Sequence, residues 1–315
     1  LIVEGSSGTA SNVYINSAID LSQSSTGGSI LFQDIDTLYL RGDLTTAGGD
    51  ITTRDSVASA IGGSGIGTYT FNAGTGTISI GAGGFDSQFR RYDFIADDYY
   101  FGGNVTSGNE FSGISLSPNA NMSVGLGDGQ AGAINLSNQE LDYLNNAPKF
   151  TLKTTDATIN LGQYSNWASS AVQINPTGSL SSLNINGAQD FGSASVSFST
   201  TTNNHNNISI NDTISGSGRL TFNLFTNGIG DNVTGAYLND SELSMIQDGF
   251  SEIRYLHARP IDINTASPWI LNDNTSISTT GHPLSIHTDI TASSGNNAGL
   301  NLSTNAILTV NGDID

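Results

Sequence analysis

An all-β solenoid is the fold class this sequence predicts, and three observations predict it. Apolar residues fall in short alternating blocks such as TISI, LNIN, ISIN and LTV, and alternation of period two puts one face of a strand inward and one outward. Between the blocks stand turn residues, with 38 Gly and abundant Ser, Thr, Asn and Asp, whereas the helix formers Lys, Glu, Met and Arg are scarce. Finally, whole stretches of the chain return about 102 residues later, and long-period self-similarity marks stacked repeats.

The repeat is most visible in LSNQELDYL (136–144), which returns as LNDSELSMI (238–246). Upstream, GLGDGQAGA (125–133) returns as GIGDNVTGA (228–236). Downstream, LNI (183–185) matches LSI (284–286), VSFST (196–200) matches LNLST (300–304), and ISIN (208–211) matches LTVN (308–311). The two tryptophans, Trp167 and Trp269, fall at equivalent places. The offset drifts between 100 and 104, as small insertions in turns would make it. The chain therefore reads as a divergent first portion (1–124) with an aromatic, charged insert at 85–101, a repeat unit (125–227) and a second, truncated unit (228–315).

Strands of four to six residues are expected at about 8- to 12-residue spacing, among them 29–32, 37–40, 68–72, 77–80, 151–153, 158–161, 182–185, 195–199, 208–210 and 220–223. Coils of roughly 20 to 30 residues accommodate them. A stacked coil buries a narrow column of Val, Ile, Leu and Phe, which suits a chain only 36% apolar. Asn, Ser and Thr at the turns can stack as ladders.

One short helical turn per unit interrupts the strands. Ser137-x-x-Glu140 and Asn239-x-x-Glu242 fit a capping box. Leu141 and Leu144, or Leu243 and Ile246, then supply two apolar residues to pack on the coil. No other stretch has a helical pattern.

The formal net charge is −19, which excludes the basic footprint of a nucleic-acid binder and disfavours anionic membrane surfaces. No resident cofactor is expected, although the acidic surface is compatible with loosely bound divalent cations. There is no Cys, which fits a secreted repeat protein. No apolar run approaches the roughly 18 residues of a membrane span. The sequence opens at Leu1 and stops in mid-pattern at ILTVNGDID, as a piece of a longer protein would.

The stretches GLGDGQAGAINLSNQELDYL, GIGDNVTGAYLNDSELSMI, TFNAGTGTISIG, TTAGGDITT and LTVNGDID, in this order of type, resemble the repeats of large bacterial exoproteins, the filamentous-haemagglutinin-type adhesins exported by two-partner secretion. With the strands between them, the resemblance covers most of the chain. It implies a right-handed parallel β-helix, extracellular or on the bacterial surface, that serves as an adhesin shaft or structural fibre. Expected partners are further copies, end to end or side by side, and a glycan or host-cell surface. The family's secretion domain has no counterpart here.

Catalytic signals are sparse, and the chain is not expected to be an enzyme. Asp86, Asp93, Asp97 and Asp98 invite comparison with the paired carboxylates of polysaccharide-cleaving β-helix enzymes, but no second acidic cluster completes a cleft. The segment 85–101 concentrates seven aromatic residues and the only Arg-Arg pair. Its residues Arg90, Arg91, Tyr92, Asp97, Asp98, Tyr99 and Tyr100 form the candidate contact surface. The glycine-aspartate runs miss the calcium nonapeptide consensus. His205, His257, His282 and His287 lack metal-ligand context, and there is no G-x-S-x-G elbow.

Overall fold

A computed structural model describes the chain except residues 6–10, 55–58, 61–67, 87–90, 107–112, 201–207, 226–227, 234–237 and 294–297. The fold is a β-solenoid. Strands pair in parallel with their counterparts one coil away, and two short helices are the only ones among the described residues. The chain forms two compact units, residues 1–155 with 168–171, and residues 156–167 with 172–315.

In the first unit, alternation turns directly into columns. Strands Ile2–Glu4, Ile30–Gln33, Ile51–Thr53, Thr77–Ile80 and Asp98–Phe101 stack in order, so Ile30, Ile51, Ile78 and Tyr99 lie in register and are all buried. A second wall stacks Ile19–Leu21, Leu44–Thr46, Thr68–Asn72, Arg91–Ile95, Gly113–Leu116 and Lys149–Thr155. Its column Leu44, Phe71, Phe94, Leu116 and Leu152 is buried throughout. Burying one large side chain contributes about 1.5–3 kcal/mol, so the stability of each coil rests on the several such residues it supplies, as Ile30, Phe32, Ile35, Leu38, Leu40 and Leu44 do in one of them.

The second unit repeats the design. Val196, Leu220 and Ile253 align, as do Phe198, Phe222, Tyr255 and Ile277. Aromatic rings form a continuous file: Trp167–Phe191 at 5.5 Å, Phe191–Phe198 at 6.0 Å, Phe198–Phe222 at 5.7 Å and Phe222–Tyr255 at 5.5 Å. Of the polar ladders, one lies at a turn as expected (Asn186–Asn211), and two run along the outward faces of the strands Thr158–Leu161 and Ser182–Ile185. Asn184 donates to Asn160 at 2.8 Å, Asn211 to Asn186 at 3.0 Å, and the hydroxyls of Thr158 and Ser182 meet at 2.9 Å.

Strands 37–40, 68–72, 77–80, 158–161, 182–185, 195–199 and 208–210 coincide with those expected, and 29–32, 151–153 and 220–223 shift or extend by a residue or two. Residues 91–101, within the segment 85–101, are not an insert. Arg91–Ile95 and Asp98–Phe101 are ordinary coil strands, in register with Thr68–Asn72 and Thr77–Ile80. The physical reason is alternation: Tyr92 and Phe94, then Tyr99 and Phe101, point into the core, while Arg91, Asp93, Asp98 and Tyr100 point out.

Candidate functional site

The repeated motif builds a capped polar assembly once in each unit. Helix α1 (Asn138–Leu144) is capped by Ser137 and helix α2 (Asp240–Ser244) by Asn239, each with a complete capping box. Leu141 and Leu144 are buried beneath α1. In the second copy Leu243 is half-buried, and Ile246 is buried beyond the helix end, where it bridges to Ile214.

The helices lengthen their coils. The register steps from Ile114 to Phe150 across α1 and from Leu220 to Ile253 across α2, 36 and 33 residues. Coils without a helix in the same walls take fewer, such as 24 from Val196 to Leu220 and 22 from Ile253 to Thr275.

The glycine-aspartate run preceding each helix acts as a clasp. Asp128 Oδ1 accepts the N–H of Asn138 at 3.0 Å, and Asn138 Oδ1 accepts the N–H of Asp128 at 3.2 Å. In the second copy Asp231 and Asp240 exchange the same bonds at 3.3 and 3.0 Å. Gly127 and Gly230, at φ +94° and +103°, make the turn that brings the pair together. Their N–H groups donate to Leu136 and Leu238, both at 2.8 Å.

The capping-box glutamates reach further than the box. One oxygen of Glu140 accepts the Ser137 N–H, and the other accepts the N–H of Phe101, in the strand Asp98–Phe101 that ends its sheet. Glu242 repeats this with Asn239 and Ile210, the latter in the terminal strand Ile208–Ile210. Each helical turn thus stands where the next strand of that sheet would be, and its carboxylate takes over a ladder hydrogen bond. A helix or loop over a sheet edge prevents further pairing there. Burial pushes the Glu242 carboxyl above its ordinary value, against the downward pull of the Asn239 and Ile210 bonds.

The candidate contact surface comes apart. Arg90 lies outside the described residues. Tyr92 and Tyr99 are core residues, at 0% and 3% exposure, because they occupy inward positions of their strands, so neither contributes to a surface. Tyr99 donates to the Phe94 carbonyl at 3.0 Å, and burial pushes its hydroxyl well up. Arg91 pairs with Asp93 at 3.1 Å. Asp97 accepts from Asn119 at 2.6 Å, and Asp98 accepts the N–H of Tyr99 at 2.9 Å. The three acids are engaged separately, Asp93 and Asp98 with near neighbours and Asp97 with Asn119 one coil away. Tyr100 is 56% exposed.

Among the described residues no three His, Cys, Asp or Glu side chains group as metal ligands would. His257 is buried, and exposed His287 contacts Asn311 at 3.1 Å. His205 lies outside the described residues. Among the described residues no helix is long and apolar enough to cross a membrane. Sequence reading missed one concavity, a cleft of about 340 Å³ beside α2 that Trp269 and Ile270 help to line. No protein-family model, curated protein or solved structure matches the chain.

Proposed function

We propose that the chain is an extracellular structural and adhesive β-helix segment of a bacterial surface fibre, of filamentous-haemagglutinin type, that associates with further copies end to end or side by side. One observation carries this reading. In each unit parallel strands stack coil on coil with core residues in register, Ile30, Ile51 and Ile78 in the first and Phe198, Phe222 and Tyr255 in the second, which is the build of a shaft. The separate engagement of Asp93, Asp97 and Asp98 in structural bonds favours a scaffold over an enzyme.

Light scattering and electron microscopy of the chain test this. Concentration-dependent association into filaments is expected. A strictly monomeric chain at all concentrations would overturn it. Labelling of the native protein on intact cells tests the extracellular placement.

A further inference from the structure

The repeat gives its two tryptophans unequal surroundings. Trp167 is 6% exposed. Its indole N–H donates to Gln189 at 3.2 Å, Phe191 stacks on it at 5.5 Å, and Tyr164 meets it edge-on at 4.9 Å. Trp269 is half-buried and keeps one ring contact, with Tyr255 at 5.7 Å. Its indole N–H has no acceptor among the described residues. The cause is legible in the sequence. At the 101-residue offset of that stretch, Gln189 and Phe191 become Ile290 and Ala292, and Ala292 is exposed. Both the acceptor and the covering ring have gone.

Beside the uncovered indole lies the cleft of about 340 Å³. Such a volume fits the lower end of small-ligand sites, which run from roughly 300 to 1,000 Å³. Leu243 and Pro268 continue its apolar side, and Ser244, Ser267 and Asn272 line it with polar groups. Among its described lining residues Asp240 is the one that is charged, and both carboxylate oxygens accept backbone N–H groups, from Asp231 at 3.0 Å and Ala266 at 2.7 Å. None of the described lining residues is a cation, so an anionic ligand would meet no counter-charge from them.

We propose that this cleft is a binding site for a neutral saccharide. A pyranose ring has an apolar C–H face and a rim of hydroxyls. An indole offers the matching pair, a broad apolar face with one donor at its edge. The sugar face lies on Trp269, and its hydroxyls exchange hydrogen bonds with the indole N–H and the polar lining. The site lies within one unit of one chain, so it does not depend on the self-association proposed above.

The test uses the fact that the chain has only two tryptophans. In Trp167→Phe, emission reports Trp269 alone. Titration with the methyl glycosides of glucose, galactose, mannose and N-acetylglucosamine, and with their β-linked trisaccharides, is expected to give a saturable shift for at least one, at a Kd of roughly millimolar for a single ring. Calorimetry on the unsubstituted chain keeps the test valid if Trp167→Phe folds poorly. Ala292→Phe, which restores the missing ring at an exposed position, and Trp269→Ala should each weaken binding tenfold or more while the circular dichroism spectrum is retained. No saturable response to any of these sugars, or binding that survives both substitutions, would overturn the proposal.

Discussion

Glu242 Oε1 accepts the backbone N–H of Ile210 at 3.1 Å, across 32 residues of sequence. The capping-box glutamate of a five-residue helix thereby closes a β-ladder. Glu140 does the same for Phe101 at 3.3 Å in the other unit. Removing the carboxylate leaves two N–H groups without acceptors, that of the N-cap residue and that of the strand. A buried donor left unsatisfied costs about 1–3 kcal/mol. Glu242→Ala is therefore expected to lower the unfolding free energy by roughly 2–4 kcal/mol, read from urea midpoints. A loss no larger than an isolated cap of about 1 kcal/mol would mean that the strand bond contributes nothing.

The same carboxyl sets a pH dependence. Its folded-state value lies above the ordinary 4.5, first because of burial. Its contribution to stability is then fully present below the unfolded value and is lost as pH rises through the folded value. Glu242→Gln is neutral at every pH and lacks this slope. The stability of the wild type relative to Glu242→Gln should fall as pH rises from about 4.5 and level off above the folded value. Denaturation series across pH 4 to 8 would check this, and a difference that rises with pH would sink it.

The clasp turn makes a sharper backbone prediction. Gly230 sits at φ +103°, and a Cβ there would come within 2.5 Å of the Asn264 carbonyl oxygen. Gly129 also has positive φ, +76°, but nothing lies within 4 Å of its would-be Cβ. Gly129→Ala should cost only the left-handed conformation, about 1–2 kcal/mol. Gly230→Ala should cost clearly more, because the steric clash adds to it and the Gly230–Leu238 bond of 2.8 Å is put at risk. Equal losses in the two variants would count against the clasp geometry.

In the aromatic file of the second unit, Phe222 is fully buried and stacks on Tyr255 with 6° between ring planes. Phe222→Ala should cost about 3–5 kcal/mol. Solenoid coils contact only their neighbours, so hydrogen exchange should rise most in the strands Ser195–Ser199, Arg219–Leu224 and Glu252–His257. A uniform rise over the unit would indicate all-or-none unfolding instead.

Local signals were legible in the sequence. The capping boxes span four residues and need no knowledge of the fold, and both form. Strands such as Thr77–Ile80 are set by their own alternation and coincide with expectation. What escaped was set by distant chain. The N–H that Glu242 accepts belongs to whatever strand lies one coil below, and coil length varies from 20 to 36 residues. Tyr92 and Tyr99 escaped for another reason. RYDFI and DYYF alternate as strands do, but the charges and aromatics packed into 85–101 gave the stretch the composition of a surface loop. Alternation outweighed composition, because a strand position that faces the core is buried whatever lies beside it. The cleft at Trp269 was hidden because the repeat that equates it with Trp167 also suggested equal surroundings.

The last expectation concerns the two copies of the clasp, which differ by one charge. Asp128 faces Asn138, whereas Asp231 faces Asp240 and also raises the Glu242 carboxyl by charge repulsion. Asp231 uses one oxygen, Oδ1, to accept the Asp240 N–H. Asp231→Asn keeps a carbonyl oxygen for that bond and removes the charge. A like charge nearby disfavours ionisation, so taking it away favours the Glu242 anion. The Glu242 titration should move down toward its ordinary value, and the fold should persist. Carbon-detected NMR of side-chain carboxyls in the wild type and Asp231→Asn reads this directly. An unchanged or raised Glu242 value in a folded variant would show that burial alone sets it.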